Sequence, residues 1–123
     1  MSIRRTIEGN SLILENTDNG DRVTIRETID EDTALIAPEG RLTAEMVHDL
    51  EDELTSLALV CRDMRIELGA VQYISNSVIR TLLEVQHMVD ARQGTLRLTK
   101  AGDDVWNRFE EMGLEEVFDI ARE

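Results

Sequence analysis

One cysteine, one proline, one lysine and four aromatic residues are spread over 123 positions, and each scarcity excludes a class of function. A single cysteine, Cys61, cannot close an intramolecular bridge. With no apolar run behind Arg4 and Arg5 to act as a secretory signal, it points to a reducing cytoplasm. Cys61 ends the longest uninterrupted apolar stretch, which starts at Leu57. That stretch is far too short to span a bilayer, and the thiol reads as a small buried hydrophobe. Four aromatics leave little for base stacking or an aromatic cage. The seven glycines are scattered over turn and cap positions, which excludes P-loop and dinucleotide-binding loops. Cations are scarce as well: 13 Lys+Arg face 26 Asp+Glu, a formal charge of −13. Such a surface repels phosphate backbones and anionic headgroups, so neither nucleic acid nor a membrane is expected as a partner.

Catalytic constellations are missing too. The only histidines, His48 and His87, fall on different helical stretches, and no Ser or Cys stands in a triad pattern with either. His48 has Glu45, Asp49 and Asp52 nearby, but no second histidine or cysteine completes a metal-ligand set, and an acidic solvated face is the simpler reading. The carboxylate runs Glu51-Asp52-Glu53, Glu110-Glu111 and Glu115-Glu116 single out no acid and base. We expect no enzyme activity, no cofactor and no metal.

What is present is the patterning of one α/β domain. Val23 to Ile29, Met64 to Leu68 and Thr95 to Thr99 alternate with period two, as strands with one covered face do. Thr33 to Leu42 makes a hairpin partner for the first of these, with Pro38 expected at an edge or a bulge because it has no N–H to donate. Thr43 is placed to cap a helix whose apolar positions are Val47, Leu50, Leu54 and Leu57. A second helix opens at Ser75-Asn76-Ser77, carries Val78, Ile79, Leu82, Leu83, Val85 and Val89, and ends at Gln93-Gly94. A third is expected to be capped by Asp103, to bury Val105, Trp106 and Phe109 with Trp106 partly exposed, and to stop at Gly113.

The order β-β-α-β-α-β-α implies a mixed sheet of four to five strands with parallel crossovers. Its expected core is Leu50, Leu54, Ile66, Leu68, Ile79, Leu82, Leu83, Leu96, Leu98, Phe109 and Leu114. Residues 1–22 form an N-terminal extension in which Ser11 to Leu14 offers one extra strand, and residues 23–123 form the domain proper.

With catalysis set aside, attention falls on the junction Gln72-Tyr73-Ile74-Ser75-Asn76-Ser77. Three capping residues there place hydroxyls, an amide and backbone N–H groups at the positive end of a helix. The layout from Val23 to Ile120 resembles the STAS domain, the fold of bacterial anti-sigma-factor antagonists. The resemblance is carried by Leu35-Ile36 leading to Gly40-Arg41-Leu42-Thr43, by the junction after Ile66-Glu67-Leu68, and most specifically by Val105, Phe109, Gly113, Leu114 and Phe118.

In that family the switch motif Asp-Ser-Ser/Thr-Gly opens the second helix, and it falls without gaps on Ser75-Asn76-Ser77-Val78. Only Ser77 matches. The usual phosphoacceptor position holds Asn76. The resemblance implies a protein-interaction module in bacterial transcription regulation, with Ser75, Asn76, Ser77, Arg80 and Glu84 as the partner-binding surface. The implied partner is a kinase-type anti-sigma factor or another STAS or regulatory protein. Asn76 cannot accept phosphate, so binding is expected to be constitutive unless Ser77 or Ser75 takes over as acceptor. The alternatives are a STAS accessory subunit of a transporter or larger signalling assembly, and a domain binding a small anion or lipid near Ser75.

Overall fold

The computed structural model describes residues 3–123. Its strands are β1 (Ile3–Glu8), β2 (Ser11–Asn16), β3 (Arg22–Asp30), β4 (Thr33–Leu42), β5 (Asp63–Glu67), β6 (Val71–Ile74), β7 (Leu96–Thr99) and β8 (Asp119–Ile120). The helices are α1 (Val47–Val60), α2 (Asn76–Ala91) and α3 (Asp103–Glu111), with a turn of 3-10 helix at Ala44–Met46 before α1. The α/β class and the three helices agree with the sequence patterning. The strand number does not: eight strands form one sheet in the order β1-β2-β3-β4-β5-β7-β8, with β6 paired to β4.

Strands β1 to β4 run as an antiparallel meander. From β4 onward the pairing is parallel. The N-terminal extension contributes two strands where its apolar run suggested one. Leu12 and Leu14 of β2 enter the core opposite Ile25 and Val23 of β3. β1 is outermost and mostly exposed, so its sequence carries little alternation to read.

Alternation places Ala34, Ile36, Met64, Ile66, Leu96 and Leu98 on one face of the sheet, where they join Leu50, Leu54, Ile79, Leu82 and Val85 from the helices in a single core. Arg26, Leu35, Glu39, Arg65 and Arg97 stand on the other face and are exposed. All of the expected core residues are buried except Leu83 and Leu114, which are half-buried against its margin. The chain after α3 covers the remaining apolar surface, with Phe118 set edge-on to Phe109 at 5.3 Å between ring centres. Cys61 is buried as expected, and burial, with the charge of Asp32, pushes its thiol above the ordinary range against the pull of Arg92.

Pro38 lies on the central strand β4, not at an edge. β5 accompanies β4 only as far as Ile36, and β6 joins it only from Gly40. Gly40 donates its N–H to Ala70 on that side. By the two-residue alternation, the Pro38 nitrogen faces the gap between β5 and β6, where no ladder bond is lost. The register slips between Gly40 and Arg41, and Gly40 takes a φ of 115° with the Arg22 carbonyl 2.6 Å from where a Cβ would sit. Glycine is required there.

Two expected caps move. Thr43 precedes the 3-10 turn, makes no side-chain cap bond, and leaves Met46 at the start of α1, because Met46 is drawn fully into the core. Gly102, not Asp103, caps α3, while the Asp103 carboxylate pairs with Arg122.

Candidate functional site

The candidate site forms where β4, β6 and α2 meet. The strand expected over Met64 to Leu68 does not run on to the helix. It turns at Gly69 and Ala70, and β6, only four residues long, leads into α2. Ser75 fixes the start of that helix. Its N–H reaches the Leu42 carbonyl at 2.9 Å, its hydroxyl accepts the Val78 N–H at 3.3 Å, and the same hydroxyl lies 3.0 Å from the Ser77 hydroxyl. Val78 and Ile79 are buried, so the first turn of α2 is held from both backbone and core.

This arrangement separates the sequence candidates. Ser75 is buried, at 6% exposure, and occupied as a cap. Ser77 is half-buried beside it, while Asn76 is exposed. Arg80 and Glu84 follow Asn76 at four-residue steps and are exposed as well, so Asn76, Arg80 and Glu84 form one strip along the solvent side of α2. No acidic residue occupies the first turn.

Beside this strip lies a recess of about 380 Å3 that sequence reading does not find. Tyr73, half-buried on β6, lines it. The Arg41 guanidinium lies 4.8 Å from the Tyr73 ring centre, and that of Arg108 lies 5.2 Å from it. Arg41 stands beside Tyr73 through the β4–β6 pairing, whereas Arg108 arrives on α3. Arg108 Nη1 also donates to Asn76 Oδ1 at 3.3 Å, which ties α3 to the first residue of α2. Nothing local in the sequence signals this grouping; the parallel pairing of β4 with β6 and the packing of α3 on β6 create it.

A second charged grouping lies between the N-terminal hairpin and α1. Arg5 Nη2 meets Glu53 Oε2 at 2.6 Å, with Asp49 at 3.8 Å. Glu27 of β3 shares a hydrogen bond with Glu53, and its carboxyl is pushed up to about 8, by burial first and then by Glu53, with Arg5 opposing. Among the described residues, no three His, Cys, Asp or Glu side chains gather to hold a metal ion, and no helix is long and apolar enough to cross a membrane.

Known structures share the fold. An anti-sigma factor antagonist from Mycobacterium paratuberculosis superposes with a TM-score of 0.74 at 14% identity, over 89% of this chain and 92% of that one. The Bacillus protein SpoIIAA in its unphosphorylated form gives 0.70 at 15% identity, over 79% and 87%. A sulfate transporter family protein from Wolinella succinogenes gives 0.58 at 14%, over 77% and 80%. At such identities these likenesses establish the fold alone. A search of curated protein sequences returns no match. The model of the STAS domain family matches residues 22–123, from the first residue of β3 to the end of the chain. The chain therefore belongs to the STAS domain family.

Proposed function

We propose that this chain is a non-enzymatic interaction module of a bacterial regulatory system, acting as anti-sigma-factor antagonists do, with its phosphorylation switch disabled by Asn76. The observation that carries the reading is the exposed strip Asn76, Arg80 and Glu84 on a firmly capped helix, at the position of the family's switch motif. A phosphoryl group at a helix N-terminus leaves the fold intact and changes which partners dock. An amide there stays neutral. The fitting partner is a kinase-type anti-sigma factor or another STAS-type regulatory protein, bound constitutively in the cytoplasm. Of the two remaining hydroxyls, Ser77 is the more accessible acceptor, since Ser75 is buried in its capping role.

Incubation with a candidate kinase-type anti-sigma factor and ATP is expected to leave the peptide from Tyr73 to Arg80 unmodified, while Asn76→Ser becomes phosphorylated and releases the partner. Stoichiometric phosphate on Ser75 or Ser77 of the unaltered chain, with loss of binding, overturns the reading. A second reading, an accessory STAS subunit of a transporter, draws on the fold shared with the Wolinella protein. Co-purification from native cells separates the two: the first expects a soluble kinase-type partner, the second a membrane transporter.

A further inference from the structure

We propose that the recess between Arg41, Tyr73 and Arg108 is a carboxylate-binding site that receives an Asp or Glu side chain of the protein partner. For its biological occupant the proposal rests on the partner-binding reading of the α2 strip; the recess itself is testable without any partner.

Two guanidinium groups converge on one aromatic ring, and among the described residues neither is in an ion pair. Acidic side chains outnumber basic ones two to one in this chain, and Arg4, Arg5, Arg26, Lys100 and Arg122 have all found carboxylates. Arg41 and Arg108 instead spend their contacts on Tyr73 and on the neutral oxygen of Asn76. Stacking on a ring holds a guanidinium plane in place and leaves its edge N–H groups to meet a planar carboxylate in bidentate fashion. Asn76 adjoins the site through Arg108: its oxygen accepts from Arg108, which leaves its amide N–H groups as donors.

The surrounding charge selects the occupant. Asp104 and Glu111, one turn to either side of Arg108 on α3, also line the recess. A free multiply charged anion must approach through the field of a chain at −13 and past these two carboxylates. A single carboxylate delivered by a docked protein avoids that cost, and basic residues flanking it meet Asp104 and Glu111. The structure thus assigns the occupant as an acidic side chain with basic neighbours, not a phosphate ester.

The test is a titration of the isotope-labelled full chain with sodium acetate at constant ionic strength, following backbone amides and arginine side-chain N–H signals by NMR. Saturable shifts are expected at Arg41, Arg108, Tyr73 and Asn76, with Arg65 and Arg97 on the open sheet face unmoved. Arg108→Gln should weaken the response about tenfold, the loss of one charge-assisted hydrogen bond. Asn76→Asp should abolish it, because an internal carboxylate then occupies Arg108 at the position now held by the amide oxygen. Uniform shifts at all arginines, no saturation, or a wild-type response surviving in Asn76→Asp overturns the proposal. Tighter binding of inorganic phosphate than of acetate overturns the carboxylate assignment. Once the partner is in hand, its wild-type binding with no loss in Arg41→Gln/Arg108→Gln refutes the recess alone, whereas a failure to find any partner refutes the functional reading and leaves the acetate result to decide the site.

Discussion

Glu27 is hydrogen-bonded to Glu53 under the N-terminal hairpin, and Arg5 bridges Glu53 and Asp49 at the rim. Burial and the neighbouring carboxylate raise Glu27 from 4.5 to about 8, so the folded chain keeps a proton that the unfolded chain releases. The stability this contributes is complete below about 4.5, declines as pH rises from there, and is lost once pH passes about 8. Glu27→Gln keeps the hydrogen bond and removes the titration. In urea melts at pH 5, 6.5 and 8, the variant should gain on the wild type as pH rises, and a pH-independent difference would show that the pair does not share a proton. Neither this pair nor the Arg41–Tyr73–Arg108 recess is legible in the linear chain. Alternation along β3 puts Glu27 on the same face as Val23 and Ile25, but nothing in the sequence pairs it with Glu53, which arrives on α1. Arg41, Tyr73 and Arg108 lie on three elements that share no pattern. Ser75 as a cap and Asn76 on the exposed side were legible, since capping chemistry and helical spacing are local.

Strand β4 carries the sheet from its antiparallel to its parallel half, and Gly40 is where it changes neighbours. A Cβ at Gly40 would strike the Arg22 carbonyl, and the φ of 115° disfavours any side chain. Gly40→Ala should therefore cost on the order of 1–3 kcal/mol in a denaturant melt and also loosen the β4–β6 pairing that sets Arg41 beside Tyr73. A melt unchanged from wild type would show that the strand can slide without loss. The elements with strong periodicity, β3, β4, β5, β7 and the three helices, could be read from the sequence because half-buried surfaces enforce alternation or a helical stripe. β6 and β8 could not. Each is too short to display a period, and each exists only because a longer neighbour supplies its hydrogen bonds. The edge expected for Pro38 is absent for a related reason, although the register slips two residues on: a gap between two partners on the same side of a central strand has no signature in one strand's residues.

At the scale of the whole molecule, the family-matched region begins at Arg22, while the sheet continues through β2 and β1. The hairpin covers the edge of β3 and places Leu12 and Leu14 against the core. Removal of residues 1–21 should expose a nine-residue strand edge with Val23 and Ile25 partly uncovered, and such an edge invites pairing with another copy. Sedimentation velocity is expected to show concentration-dependent self-association of the truncated chain. A monomer with an unaltered melt would make the hairpin an ornament of the sheet.

The division of the sheet also orders events in time. β1 to β4 are joined by short turns and can zip as each strand emerges, whereas every parallel pair must wait for an intervening segment to be synthesised and its loop to close. Arg41 belongs to the early half, Tyr73 to the middle of the chain, and Arg108 to the last helix. A nascent chain on the ribosome thus owns most of its sheet before it owns its recess. A partner that docked in the recess would therefore engage finished molecules and pass over growing ones.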